Sequence, residues 1–158
     1  MCMHNLRKFN GSFKGIIGEC MFKLVMEKAV LPKFFNKTKY FIIFGKYFSP
    51  HQIDFMRRNW YSIDAIEISF VNGSKEIILY EIKTKNEYNQ KLFFKPKMTL
   101  ATHHLYNEAK KIGLQVKLAT VHFYTNWDYE VTLSEFTESN YCVDKPKLYD
   151  KHITGRAI

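Results

Sequence analysis

Asp64, Glu81 and Lys83 are the residues of this sequence whose types and spacing could do chemistry together. Two carboxylates and an ammonium in one place can hold a divalent cation and orient a water beside a phosphate. A predicted β-hairpin gathers them. Ser62 to Lys85 reads SIDAIEISFVNGSKEIILYEIKTK, two runs rich in Ile, Phe, Tyr and Leu around Asn72-Gly73. That dipeptide is the strongest short signal for a two-residue type I′ turn. With Asn72 and Gly73 as the loop, Val71 pairs with Ser74, Ile68 with Ile77, Ile66 with Leu79 and Asp64 with Glu81. Alternation then puts Asp64, Ile66 and Ile68 on one face with Ile77, Leu79, Glu81 and Lys83. Directly opposed β-carbons lie about 5 Å apart, where like charges destabilise a sheet. A bound Mg²⁺ is one reason for such a pair, since it takes one or two carboxylates and keeps positions for water and phosphate. A frayed, solvated strand end, with Lys83 neutralising the second acid, is the other. The hairpin by itself leaves both open.

The elements around the hairpin follow from periodicity. The second strand, Glu76 to Lys83, is apolar on both faces, which predicts a central position in a covered sheet. Glu81 and Lys83 then stand at the end of a rigid element. A helix is predicted from Phe13 to about Val30, with Ile17, Cys20, Met21 and Leu24 at steps of three and four and Pro32 beyond its end. Glu19 lies on the flank of this helix. An acid in an early turn is favoured by the helix dipole, and one facing the hairpin could join its acids. Tyr40 to Phe44 is predicted as a strand, and Ser49-Pro50 either opens a short helix or begins a loop carrying Arg57 and Arg58. A second helix is predicted from about Met98 to Ile112, its stripe formed by Met98, Ala101, Leu105, Ala109 and Ile112, with Gly113 as C-cap. His103 points away from that stripe and reads as a surface residue. Strands follow at Val116 to Tyr124 and Tyr129 to Phe136, with a turn at Asn126-Trp127-Asp128. Because a helix joins them, the Glu81 and Val116 strands are expected to be parallel.

Between hairpin and second helix, KTKNEYNQKLFFKPK interleaves Lys83, Lys85, Lys91, Lys95 and Lys97 with Tyr88, Phe93 and Phe94. Such a mixture suits a nucleic-acid groove, lysines on phosphates and rings on bases, and it equally suits a surface loop with one ring tucked inward. The whole chain of 158 residues carries a formal charge of +9 and is 46% hydrophobic. Those values predict one folded domain, residues 1–136, with a polar basic tail over 137–158, and a polyanionic partner. No stretch reaches the ~18 apolar residues of a membrane span, so no membrane association is expected. The first residues lack the apolar core of a secretory signal, and Cys2, Cys20 and Cys142 are too scattered for a zinc or disulfide framework. A cytoplasmic setting is expected.

The order of elements, with Glu19 on the first helix, Asp64 in the hairpin and Glu81-Ile82-Lys83 as Glu-x-Lys, resembles the PD-(D/E)XK nuclease superfamily. The likeness spans roughly Gly15 to Tyr124. It implies an α/β restriction-endonuclease-like fold, a mixed β-sheet with flanking helices and an α-β-β-β-α-β core. It also implies a Mg²⁺- or Mn²⁺-dependent DNA nuclease, with Asp64, Glu81, Glu19 and the Ile82 carbonyl around the metal and Lys83 beside the attacking water. Lys85, Lys91, Lys95, Lys97, Arg57, Arg58 and His103 are then the candidate nucleic-acid contacts. Ile63 replaces the motif's proline, and no Gln or Lys occupies the usual place on the second helix, where Thr99, Thr102 or His103 would have to serve. Within this class a junction-resolving enzyme would act as a homodimer, and RNA fits the same charge pattern as DNA. The competing expectations are a non-catalytic nucleic-acid-binding module and a structural protein kept soluble by its charge.

Overall fold

A computed structural model describes residues 11–86, 95–124 and 128–144. The hairpin lies at its centre. Strand β1 (Ala65–Val71) and strand β2 (Ser74–Asn86) pair antiparallel in the expected register, from Val71↔Ser74 through Ile68↔Ile77 and Ile66↔Leu79 to Ala65↔Tyr80. Asn72 at φ 50° and Gly73 at φ 78° both take left-handed backbone, which a type I′ turn requires and which Asn and Gly adopt at least cost.

Helix α4 (Leu100–Lys111) carries the chain from β2 to strand β4 (Gln115–Phe123), which pairs with β2 in parallel from Ile78↔Gln115 to Asn86↔Phe123. Strand β5 (Tyr129–Glu135) returns antiparallel to β4, giving a mixed four-stranded sheet ordered β1-β2-β4-β5. The side chains of Ile77 to Ile82 are all buried, as a strand covered on both faces demands. Short strands β3 (Lys97–Met98) and β6 (Cys142–Val143) pair in parallel as a separate two-stranded sheet.

Helices cover both faces of the main sheet. Helix α1 (Gly11–Val25) seats Phe22 on Tyr80, Ile82, Ala119, Val121 and Phe123. The other face carries helix α2 (Lys37–Phe44), helix α3 (Pro50–Arg58) and α4, whose Tyr40, Phe55, Met56 and Tyr106 pack with Trp60 on Ile66, Ile77, Leu79, Val116 and Leu118.

Three expectations need correction. Tyr40 to Phe44 is helical, not a strand, so only β1 and β2 of the main sheet precede α4. Asn36 caps α2 by accepting a hydrogen bond from the Lys39 amide, and only Tyr40 and Phe41 are buried while Ile42 stays 80% exposed. A capped turn and a one-sided aromatic cluster outweigh the β-propensity of the run. The buried stripe of α4 is turned toward Tyr106 and Ala109, leaving Ala101 exposed, because the Tyr106 hydroxyl finds the Tyr80 carbonyl at 3.2 Å. Finally, the segment expected to begin a tail at residue 137 belongs to the fold as far as residue 144. Tyr141 is buried on Phe136, and β6 holds the chain to β3. Residues 145–158 lie outside the described residues.

Candidate active site

The site forms where β1 runs out against β2. Ala65↔Tyr80 is the last ladder pair, and one step beyond it the Ile82 amide donates to Asp64 Oδ2 at 2.8 Å. A paired strand residue turns its N–H and C=O to the same neighbour, so the Ile82 carbonyl faces the same edge as Asp64. Glu81 is buried, and Lys83 Nζ stands 3.2 Å from Glu81 Oε1. The ladder stops one pair short of Asp64 and Glu81, yet the two carboxyls interact. Burial, and then the negative charge of Glu81, push the Asp64 carboxyl up to about 7, against the downward pull of the Ile82 amide.

Two residues that sequence reasoning passed over complete the surroundings. Tyr106 is fully buried beneath the acids, and its hydroxyl is raised well above its ordinary range by that burial and by the charges of Glu81 and Asp64. Of the α4 residues, it is Tyr106 whose hydroxyl lies in the field of Glu81 and Asp64. Thr99 caps α4 through the Thr102 amide and bonds the Thr102 hydroxyl at 2.9 Å. The stripe of α4, read one position off, hid Tyr106. Lys33 is the second. It lies in the 3₁₀ turn Pro32–Phe34, and its Nζ is 2.7 Å from Glu19 Oε1. A lone lysine in a basic connector carries no sequence signal for such a role.

Glu19 is 5% exposed and arrives from the α1 layer, whereas Asp64, Glu81 and Tyr106 lie on the α4 side. The first turn of α1 contains no acid, which removes the helix dipole as the reason for Glu19. Gly18 sets how closely α1 approaches: a β-carbon there would meet Thr84 Oγ1 at 2.0 Å and Thr84 Cβ at 3.2 Å. The helix rests directly on β2 at this point, beside Glu19.

A divalent cation fits part of this arrangement. Burial and the Glu81 charge both disfavour the ionised Asp64 carboxylate, and Glu19 Oε2 is buried with no hydrogen-bond partner among the described residues. Buried polar atoms are normally satisfied, and a cation or a water would satisfy this one. Among the described residues no three His, Cys, Asp or Glu side chains are gathered as a ready metal-binding group. Glu19 is paired with Lys33 instead.

The candidate nucleic-acid contacts fall into different settings. Lys95 and Lys97 are exposed at the start of β3, and Lys85 lies on β2 two residues beyond Lys83, opposite His122. Arg57 lies over the Phe41 ring at 5.3 Å, and Arg58 bridges Asp54 at 3.1 Å and Glu108 at 3.6 Å, so both arginines fasten α3. His103 is held by Tyr141 at 2.8 Å and Glu138 at 3.5 Å, a partly buried link between α4 and the C-terminal segment. Lys91 lies outside the described residues, as do Tyr88, Phe93, Phe94 and the 126–127 turn. Among the described residues no helix is long and apolar enough to cross a membrane. In comparison with known proteins, the chain matches no family model, no curated protein and no solved structure.

Proposed function

We propose that this protein is a metal-dependent nuclease that hydrolyses DNA phosphodiester bonds, built on a variant of the PD-(D/E)XK arrangement. One observation carries the reading: two carboxylates, Asp64 just ahead of β1 and Glu81 within the central strand β2, interact where β1 runs out, and Lys83 Nζ stands 3.2 Å from Glu81. A fold keeps such a pair only at a cost that a cation would remove. The extended residue Val30, bridged antiparallel to Ile66 on the outer side of β1, stands where a first strand would lie, and supports the likeness despite the helical Tyr40–Phe44 run.

Asp64 and Glu81 would hold Mg²⁺ or Mn²⁺ together with the Ile82 carbonyl. When bound, such an ion supplies an acidified water and neutralises charge building on the phosphate. Lys83 is placed to orient that water and to offset the same charge. The Ile82 amide holds Asp64 Oδ2 in one direction, and Tyr106, packed under both acids, excludes bulk water from their inner side. Lys85, Lys95 and Lys97 precede α4 at the end of the sheet where β2 finishes, which suits an approaching phosphate backbone.

The test is cleavage of supercoiled, linear and four-way-junction DNA in Mg²⁺, Mn²⁺ or EDTA by the wild type and Glu81→Gln. Metal-dependent cutting that drops by about a thousandfold in Glu81→Gln is the expected result, and the preferred substrate would define the subclass. Preference for the junction would call for a homodimer. The second reading, a binding module whose acids are structural, is favoured by the Glu19–Lys33 and Glu81–Lys83 ion pairs. Equal DNA binding by both proteins with no cutting of any substrate would select it.

A further inference from the structure

We propose that Lys33 is a resident cation of this site, which holds Glu19 in the metal-free protein and competes with a divalent ion for the acids. The inference rests on the metal-dependent reading above. Its geometry is built, not incidental. The turn bearing Lys33 is fixed on both sides: Val30 exchanges two backbone hydrogen bonds with Ile66, at 2.7 and 2.8 Å, and the buried Trp60 indole donates to the Pro32 carbonyl at 3.1 Å. From that anchored turn the ammonium reaches Glu19 Oε1 at 2.7 Å. The same ammonium also feels the charges of Asp64 and Glu81. It thus joins Glu19, on the α1 side, to the field of the acids on the α4 side.

The state of Glu19 gives the inference its content. One oxygen is taken by Lys33, and the other is buried without a partner. A carboxylate has about four acceptor positions, and here one of its two oxygens has no partner among the described residues. A divalent ion arriving at Asp64 and Glu81 would enter the field of the Lys33 charge, and like charges in a partly buried site repel. Lys33 therefore keeps the empty site stable and makes the filled one harder to form. Metal affinity is set by the difference.

Mn²⁺ titrated calorimetrically into the full chain tests this, using wild type, Lys33→Met and Lys33→Arg, with thermal midpoints recorded with and without the ion. Removing the charge while keeping the length should tighten Mn²⁺ binding by about tenfold, and Lys33→Arg should stay near wild type. The metal-free midpoint of Lys33→Met should fall, because Glu19 loses its partner, and its rise on adding Mn²⁺ should exceed the wild-type rise. Lys33→Gln, which keeps a donor for Glu19 without the charge, should bind tighter as well and serves if the methionine variant does not fold. Wild type that binds Mn²⁺ while the uncharged variants bind no tighter would overturn the role of Lys33 alone. Wild type that takes no Mn²⁺, with Asp64→Asn unchanged beside it, would bring down the nuclease reading and this inference together.

Discussion

At the scale of single residues, the decisive quantity is the charge around Asp64. Its carboxyl ordinarily titrates at 3.8 and is pushed to about 7 here, by burial first and by Glu81 second. The folded protein therefore keeps a proton that the unfolded chain has already released between those values. Stability must fall as pH rises from about 4 to 7, by at most about 4 kcal/mol for a shift of that size, and stay low above it. A bound divalent ion reverses the argument, since it favours the ionised acid. Thermal midpoints in EDTA should thus decline across this window, Mg²⁺ or Mn²⁺ should restore them most at pH 7 and above, and Asp64→Asn should flatten both responses. A metal-free midpoint that rises through the same window would contradict the electrostatic account of the pair. The nearness of Asp64 to Glu81 was legible in the sequence because the register, which runs as far as Ala65↔Tyr80, leads to it. The contribution of Tyr106 was not, because its burial depends on a hydroxyl reaching the Tyr80 carbonyl across two elements.

At the scale of elements, the hairpin, the crossover helix and the parallel pairing of β2 with β4 could all be read from turn residues and periodicity. These are local signals, and tertiary packing agrees with them. Tyr40 to Phe44 misled because five consecutive apolar residues have no period that separates a strand from a short buried helix. What settles it is Asn36 as cap and an aromatic cluster with Phe44, Phe48 and Trp60 around Tyr40. The docking of α1 depends on a contact that sequence hides entirely, Gly18 against Thr84. A methyl group at Gly18 cannot fit without moving Thr84 or lifting the helix. Gly18→Ala should cost about 1–3 kcal/mol, as overpacking usually does. Thr84→Ala removes the hydroxyl that lies 2.0 Å from the added carbon, so the double variant should recover at least about 0.5 kcal/mol beyond additivity. Urea midpoints of the four proteins measure this. Strict additivity would mean that α1 does not rest on β2 at this point. Because Glu19 follows Gly18, metal affinity should fall with Gly18→Ala and return in the double variant.

At the scale of the whole molecule, the surplus of nine positive charges says that a polyanion is welcome but not where it lies. The fold separates basic residues that are spent internally from those that are not. Arg57 stacks on Phe41, and Arg58 ties α3 to Glu108 of α4. By contrast Lys95 and Lys97 are exposed, and the pairing of β3 with β6 holds Lys97 opposite Cys142. Topology puts them near the chemistry: in a parallel crossover the chain leaves β2 and enters α4 at the same end of the sheet, the end at which Lys83 stands. Each duplex phosphate neutralised by a protein cation contributes about −0.9 to the slope of log affinity against log salt. Lys95→Ala with Lys97→Ala should therefore make that slope shallower by about 2, weakening binding uniformly across sequences while cutting by the bound complex persists. Arg57→Ala with Arg58→Ala should leave the slope unchanged and lower the thermal midpoint instead, since it removes contacts that hold α3. Filter binding over a range of salt, with the metal ion held constant, separates the two pairs. A slope that follows the arginines would move the nucleic-acid face to α3, away from Asp64 and Glu81, and the basic surface would then have no part in delivering phosphate to those acids.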